Sequence, residues 1–358
     1  MLPSNETPRM PALGAVAIGR NEGERLLRCL ESLRRAGLAT VYVDSGSQDG
    51  SRETARARGA CVVELDLGTP FTAARARNAG FAQLVALRPD LELVQFVDGD
   101  CELEDGWIAS ALAALRKNPA AAVVCGRRKE RYPEASVYNL LCDLEWDTPI
   151  GDAEACGGDA LYRRAAFAAV GGFREDLIAG EEPELCHRLR AAGGWVLRID
   201  APMTRHDAAM TAFGQWWRRT VRSGHAAAEL WSLHGRRGVR GLARIAESAL
   251  FWAILAPLAA LAVGVFAAAA FGPVGLAVAP LLLALALLRL ALRVRAHRRA
   301  RGAAPRAALL FGIACAIGKW PEAQGVLRYA AGRLFGRRSA LIEYKGASAP
   351  AARGARAP

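Results

Sequence analysis

Acidic residues cluster in the stretch Gln95–Ile108, QFVDGDCELEDGWI, directly after an apolar run. Asp98 and Asp100 are separated by one glycine, so a tight turn brings two carboxylates close together. Left unpaired, the two charges repel each other and one carboxylate resists ionisation. Mg²⁺ or Mn²⁺ removes that cost, and these ions commonly bind one or two carboxylates together with substrate phosphates. The spacing therefore indicates a divalent metal site, and a solvated acidic turn is the alternative.

A second acidic pair stands downstream in AGEEPELCHRLR. Pro183 suits the first turn of a helix, so the sequence predicts that Glu181 and Glu182 lie at a helix N-terminus. The helix dipole favours the ionised carboxylate there, and an ionised carboxylate can accept a proton from an attacking hydroxyl. Ordinary helix capping is the alternative interpretation.

Both acidic groups must be positioned by a sheet. Apolar strands predicted at 15–18, 40–44, 61–66, 91–98 and 121–126 alternate with helical segments, which is typical of a mostly parallel sheet covered by helices on both faces. Ligands bind at the carboxyl ends of the strands in such sheets. Asp44 ends the second strand and Asp98 ends the fourth, so we expect them on the same edge.

Charge is distributed unevenly along the 358 residues, whose formal net charge is +12. Residues 1–200 hold 24 Lys and Arg against 30 Asp and Glu, whereas residues 201–358 hold the other 23 against 5. Nucleic acid and anionic lipid are the usual partners of a basic region. The basic cluster adjoins apolar runs and forms no recognition module, so we expect membrane lipids as partners and no nucleic acid.

Charge-free runs at 248–271 and 274–288 predict membrane spans at about 248–271 and 274–292, each close to the length that crosses a bilayer. The second run leads into RLALRVRAHRRARGAAPRAA, and such arginine density marks the cytoplasmic side. We therefore expect a multi-pass protein of the cytoplasmic membrane with its front domain in the cytoplasm. A shorter apolar stretch at 307–317 is interpreted as interfacial or re-entrant.

The predicted domain organisation follows from these runs. It comprises an N-terminal tail (1–11), a catalytic domain (12–235) with an interfacial helix near 211–234, a membrane region (236–318), and a basic amphipathic segment with a disordered tail (319–358). The eight cysteines form no CxxC pair, so we expect reduced thiols and no zinc site.

Six motifs in order resemble family 2 glycosyltransferases over roughly residues 12–235. They are VAIGRNEGERLLRCLESL, VDSGSQDGS, ARNAG, FVDGDCELEDGWI, GGDALYRRAAFAAVGGF and AGEEPELCHRLR. The resemblance implies the GT-A fold, a Rossmann-like α/β domain, here followed by a C-terminal transmembrane helical hairpin. It also implies a nucleotide-sugar donor, most often a UDP-sugar, a divalent metal and inversion at the anomeric carbon.

The resemblance also implies roles for single residues. Asp44 would contact the nucleoside and Arg77 the diphosphate, while Asp98 would bind donor or metal. Asp100 would be the main metal ligand, and Glu182 takes the position of the catalytic base. The family usually has Glu-Asp at this position and this chain has Glu-Glu, so Glu181 is the second candidate for the base.

Further candidates lie past this core, in MTRHDAAMTAFGQWWRRTVRSGHA. The QWWRR segment resembles the Gln-x-x-Arg-Trp motif of processive polysaccharide synthases, but Arg219 replaces its Trp. Gln215 and Arg218 are candidate contacts to the donor diphosphate or the acceptor, or part of an interfacial helix. His206 is either a further metal ligand or a structural residue.

These observations predict a membrane-anchored glycosyltransferase that acts on a lipid-linked or glycan acceptor in exopolysaccharide or envelope glycan biosynthesis. One alternative is transfer to polyprenyl phosphate, which would make a single lipid-linked sugar. The other is a non-catalytic membrane protein that binds anionic lipid.

Overall fold

The computed structural model describes residues 11–336 and residue 342. Its strands are β1 (Leu13–Gly19), β2 (Ala39–Asp44), β3 (Cys61–Glu64), β4 (Leu93–Asp98), β5 (Cys101–Leu103), β6 (Ala121–Glu130), β7 (Gly151–Asp152), β8 (Ala160–Arg163) and β9 (Trp195–His206). The helices of the front half are α1 (Glu24–Arg35), α2 (Ser51–Ala57), α3 (Ala73–Leu87), α4 (Trp107–Lys117), α5 (Val137–Trp146), α6 (Arg164–Ala169) and α7 (Glu181–Ala191). Six further helices follow: α8 (Phe213–Gly238), α9 (Arg240–Leu250), α10 (Ala256–Phe271), α11 (Val278–Ala300), α12 (Pro305–Ile317) and α13 (Lys319–Leu334).

The strands form one sheet in the order β3-β2-β1-β4-β8-β6-β9-β5, and β7 pairs with β9. Strands β3, β2, β1 and β4 are parallel neighbours. The pairings of β8 with β4 and β6, and of β9 with β5 and β7, are antiparallel. The α/β class expected from the sequence is confirmed, and the sheet gains an antiparallel half that the sequence did not indicate.

Consecutive residues are buried along the central strands, including Ala15–Ala17 of β1 and Val41–Val43 of β2. Neighbouring strand residues point to opposite faces, so both faces of this parallel half are covered. Helix α3 covers β1 and β2 at Gly80, where a Cβ atom would lie 2.4 Å from Val16 Cγ1 and 2.8 Å from Val43 Cγ2. Glycine at this position therefore permits the close packing of α3 on the sheet.

The chain divides into two compact units. The first comprises the residues up to Lys129 together with Thr148–Asp176 and Glu181–Asp207, and it contains nearly the whole sheet. The second comprises Glu130–Asp147, Leu177–Gly180 and the residues from Ala208 onward.

Two helical stretches of the second unit are long and apolar enough to cross a membrane. They are Arg240–Phe271 and Pro273–Ala300, each with a mean hydropathy of 2.3 over its most apolar 18 residues. Only 6% and 11% of these windows are buried within the protein, so their apolar side chains largely face outward. Both helices extend beyond the spans expected from the sequence.

The remaining elements expected from the sequence lie partly outside the described residues. Helix α12 covers the apolar stretch 307–317, and α13 covers the first part of the basic amphipathic segment. The tail at 1–10 and the low-complexity residues 346–358 are outside the described part of the chain.

Candidate active site

The carboxyl edge of the parallel strands brings Asp44 and Asp98 together. In the strand register, Gly19 of β1 lies opposite Asp44 and its neighbour Ile18 lies opposite Asp98. Because adjacent strands are about 4.8 Å apart, the backbones of the two aspartates are separated by about 10 Å. The edge that the strand alternation predicted is thus formed, with β1 between the two acids.

Asp44 is buried, and its carboxylate organises the turn that follows β2. The Tyr42 hydroxyl donates to Oδ1 at 3.1 Å, and the amides of Gly46 and Ser47 donate to Oδ2 at 3.0 and 2.8 Å. Burial, and then the Asp44 charge, raise the pKa of Tyr42, so its hydroxyl stays protonated and donates. The carboxylate therefore fixes the loop at the edge, and its contact with a nucleoside stays a prediction.

Arg77 links the two acidic motifs of the sequence. From α3, its Nη2 donates to Asp98 Oδ1 at 2.7 Å and its Nη1 donates to Glu181 Oε1 at 2.8 Å. Burial alone lowers the pKa of this guanidinium, but the charges of Asp98 and Glu181 more than offset that effect, so the pKa is raised. A permanently charged arginine thus joins the end of β4 to the start of α7.

Asp159 and Arg128 extend this chain of ion pairs, and the sequence reasoning did not identify either residue. Asp159 is fully buried. Its Oδ1 accepts the Asp98 amide at 2.9 Å, and its Oδ2 accepts the Thr204 hydroxyl at 2.7 Å and lies 2.9 Å from Arg128 Nη2. The same Arg128 nitrogen lies 3.6 Å from Asp98 Oδ2. Asp98 is therefore held through its backbone and through both carboxylate oxygens.

One sequence signal could have pointed to Asp159. It follows two glycines in GGDALYR, and the second of them packs against the ion pairs. A Cβ atom on Gly158 would lie 2.7 Å from Arg77 Nη2 and 2.8 Å from Asp98 Oδ2. A side chain there would displace the charged groups, so glycine preserves the space that the ion pairs occupy.

Asp100 lies beside His206, because β5 pairs with the end of β9 and places Cys101 opposite His206. His206 Nε2 is 3.2 Å from Asp100 Oδ2, and both side chains are buried. The Cys101 sulfur lies within 4.8 Å of both ligand atoms. A carboxylate oxygen and an imidazole nitrogen at this distance suit one divalent cation, so these residues fit the metal that the sequence predicted.

The charges of this cluster support the same conclusion. Asp98, Asp100, Asp159 and Glu181 carry four negative charges, and the guanidinium groups of the two arginines described above carry two positive charges. Counting these side chains alone, the cluster has a formal net charge of −2. One divalent cation neutralises that charge.

Glu182 has different surroundings from Glu181, although the two residues are adjacent on α7. Its Oε1 accepts the Cys156 amide and lies 3.1 Å from the Cys186 sulfur. Glu182 is buried, while the Glu181 side chain forms the ion pair with Arg77. In the contacts described here, Glu181 is linked to Asp98 through Arg77, whereas Glu182 contacts Cys156 and Cys186.

Gln215 and Arg218 belong to the second unit, where Gln215 caps α8. Its Oε1 accepts the amides of Thr211 and Ala212 at 2.8 and 2.9 Å, and Arg218 is exposed on the first turns of the same helix. A role for either residue in binding the donor or the acceptor stays a prediction.

A cavity of about 780 Å³ lies away from these acids, at the opposite edge of the sheet. It is lined by Leu93, the first residue of β4, and by Arg163, the last residue of β8. The Arg163 guanidinium donates to the carbonyls of Ala121 and Leu115, both at 2.9 Å, so it serves the fold. Charge and ligand chemistry favour the acidic edge over this cavity as the reactive site.

Comparisons with known proteins agree with the motifs. Residues 16–171 match the Glycosyl transferase family 2 model, and this range runs from within β1 to just beyond α6. Glycosyltransferase AglE of Haloferax volcanii is 23% identical over 240 residues, covering 63% of this chain and 76% of that protein. The pre-mycofactocin glycosyltransferase of Mycobacterium tuberculosis is 28% identical over 228 residues, covering 60% of this chain and 46% of that relative, so the match spans about half of its length.

A solved structure resembles the fold along most of the chain. It is the mannosyltransferase PcManGT from Pyrobaculum calidifontis in complex with GDP-Man and Mn²⁺, with a TM-score of 0.53 and 18% identity. The similarity covers 92% of this chain and 88% of that one, which supports the GT-A fold alone. Residues 16–171 are therefore similar to glycosyl transferase family 2, and the chain is a glycosyltransferase of the GT-A fold.

Proposed function

We propose that the protein transfers a sugar, with inversion, from a nucleotide-sugar donor to a lipid-linked acceptor at the cytoplasmic face of a membrane. The observation that carries this proposal is the acidic cluster at the carboxyl edge of the parallel strands, with its net charge of −2. Ligands bind at this edge in open α/β sheets. A UDP-sugar is the donor class that the motifs favour.

Different residues of the site are proposed to contact different parts of the donor. Asp44 and the turn it organises would receive the nucleoside, and Arg77 would meet the diphosphate while it orients Asp98. Asp100 and His206 would hold Mg²⁺ or Mn²⁺, with Asp98 beside them. When bound, this ion neutralises charge that develops on the departing diphosphate.

Glu182 is the proposed proton acceptor for the attacking hydroxyl. Glu181 shares its charge with Arg77 at 2.8 Å, and a carboxylate held by a cation is a weaker proton acceptor. The described contacts of Glu182 are an amide N–H and a thiol, which orient the carboxylate without neutralising it. We therefore assign Glu181 to positioning, through Arg77, and Glu182 to proton transfer.

The apolar helices of the second unit support the proposed acceptor class. Leu258 and Phe266 in the first stretch and Leu285 in the second are exposed, as in helices that face lipid. The second stretch ends in an arginine-rich turn at Arg298–Arg301, which favours the cytoplasmic side for this end. A lipid-linked acceptor would lie in the same membrane, in the synthesis of exopolysaccharide or an envelope glycan.

A donor screen tests the proposal. Purified full-length protein is incubated with several nucleotide sugars, Mn²⁺ or Mg²⁺ and an extract of membrane lipids, and release of nucleoside diphosphate is measured. We expect one donor to be consumed only when lipid is present, with a labelled product that extends a lipid-linked glycan. Label recovered as a single sugar on polyprenyl phosphate would establish the alternative acceptor. No nucleotide-sugar binding in the presence of metal would overturn the proposal.

The two glutamates provide an internal comparison. We expect Glu182→Gln to lower kcat by at least about 100-fold with little change in donor affinity, because only proton transfer is removed. Glu181→Gln should mainly weaken donor binding, because Arg77 loses one of its two partners. The opposite pattern would reverse the assignment of the two residues.

A further inference from the structure

A buried group of sulfur and oxygen atoms surrounds the Glu182 carboxylate. Cys156 Sγ lies 3.5 Å from Cys186 Sγ, and Cys186 Sγ lies 3.1 Å from Glu182 Oε1. All three residues are buried, and their ligand atoms lie within 4.8 Å of one another. The Tyr162 hydroxyl is 3.0 Å from Cys156 Sγ and is also buried. This group comprises Cys156, Glu182 and Cys186, and we refer to it as the thiol cluster.

The spacing of the thiol cluster is close to that of a tetrahedral metal site. Two sulfurs bound to one Zn²⁺ lie about 3.8 Å apart, and a sulfur and a carboxylate oxygen lie about 3.6 Å apart. The corresponding distances here are 3.5 Å and 3.1 Å. These two distances differ from the metal-bound values by about half an ångström or less, and the third pair, Cys156 Sγ and the Glu182 carboxylate oxygen, lies within 4.8 Å.

We propose that Cys156, Cys186 and Glu182 bind a thiophilic divalent cation, Zn²⁺ or Cd²⁺, at a site separate from that of the Mg²⁺ or Mn²⁺ cofactor. Two thiolates and one carboxylate are a soft ligand set that suits Zn²⁺ and not Mg²⁺. A water molecule or the Tyr162 hydroxyl would complete the coordination. No zinc-ligand spacing is apparent along the chain, because 29 residues lie between the two cysteines and the fold alone brings them together.

Binding must displace one proton from each thiol. Burial is the largest cause that raises the pKa of the Cys156 and Cys186 thiols, so both stay protonated without the metal. The reaction therefore converts two thiols and M²⁺ into two metal-bound thiolates and releases two protons to solvent. Affinity consequently rises with pH.

A competing interpretation is that the two thiols are poised to form a disulfide. That reaction needs an oxidant and a sulfur–sulfur distance of about 2.05 Å, and it leaves no role for the carboxylate. The Cys186 thiol instead contacts Glu182 Oε1, which a metal site explains directly.

Cadmium titration of the purified, reduced, full-length protein tests the proposal. With excess Mg²⁺ present to occupy the Asp100–His206 group, we expect an ultraviolet thiolate-to-cadmium charge-transfer band that saturates at one equivalent, that grows with pH and that Zn²⁺ abolishes by competition. Cys156→Ser and Cys186→Ser should each weaken cadmium affinity at least about tenfold, with a smaller loss for Glu182→Gln. Cys61→Ser and Cys101→Ser are the matched controls, and both should keep the band. Cys101 belongs to the separate group with Asp100 and His206, so its thiol is not a ligand in the thiol cluster.

Native mass spectrometry of the wild type covers the case in which a serine variant does not fold. The expected mass increase is one cadmium ion less two protons. Absence of the band in the wild type, a band that survives in both serine variants, or binding without proton release would overturn the site. The absorption band and the mass increase report metal binding itself, so they test this site whether or not the proposed function is correct. Inhibition of sugar transfer by Zn²⁺ would in addition depend on the proposed role of Glu182 as proton acceptor.

Discussion

Replacing Asp159 by Asn tests whether the buried ion pairs hold the candidate site together. Asp159 is fully buried, and it is the partner of Arg128 at 2.9 Å and the acceptor of the Asp98 amide. Asn keeps the shape and one oxygen acceptor but removes the charge. Arg128 then retains Asp98 Oδ2, at 3.6 Å, as its carboxylate partner among the contacts described above.

The size of the effect follows from these contacts. Removing one partner of a buried ion pair costs about 3–5 kcal/mol, and the lower end applies here because Asn keeps an acceptor and Asp98 remains nearby. At about 2–4 °C per kcal/mol for a domain of this size, a loss of about 3 kcal/mol lowers Tm by about 6–12 °C. Thr204→Val is the control, because it removes only one hydroxyl bond to Asp159, worth about 1 kcal/mol or about 2–4 °C.

Thermal melting and donor calorimetry provide the assay. We expect Asp159→Asn to melt well below Thr204→Val and to bind a nucleotide sugar at least about tenfold more weakly, because Arg128 loses its closest carboxylate and its charge then displaces Asp98. If both variants melt within about 2 °C of the wild type, the ion pairs do not carry the stability assigned to them.

Two other substitutions probe the same edge. Gly158→Ala should displace Arg77 from Asp98, lowering stability by about 1–3 kcal/mol and weakening donor binding, as measured by melting and calorimetry. Gly214→Ala is its control, because the added Cβ has only an ordinary contact at 3.5 Å, and an equal loss in both variants would contradict the reasoning. Asp44→Asn should leave Tm within a few degrees, because one oxygen still accepts the turn amides, while nucleoside diphosphate affinity measured by calorimetry falls about tenfold. Unchanged affinity would remove Asp44 from the nucleoside site.

The parallel half of the sheet could be predicted because each strand carries its own signal. The apolar runs ending at Asp44 and Asp98 are bounded by turn residues, and parallel strands bring their carboxyl ends to one edge. The start of α7 at Glu181 was likewise predicted from Pro183. Local patterns were sufficient for these elements.

The antiparallel half could not be predicted in the same way, and it supplies Arg128, Asp159 and His206. Strand β8 is only four residues long, and β9 mixes polar and apolar residues over Trp195–His206. Their pairing depends on contacts between residues far apart in the chain, as for Cys101 with His206. The sequence therefore indicated His206 as a candidate metal ligand but not which residue lies beside it. The fold places Asp100 there.

Metal-dependent donor binding is the most direct test of the acidic edge. Calorimetry compares a nucleotide sugar titrated into the wild type and into Asp100→Asn, each with and without Mn²⁺, and a melt confirms that the variant is folded. We expect Mn²⁺ to strengthen donor binding to the wild type at least about tenfold and to leave binding to the variant unchanged, because Asp100 and His206, which lie 3.2 Å apart, are the proposed ligands of the ion. Equal metal dependence in the two proteins would contradict the assignment of the cation to this edge.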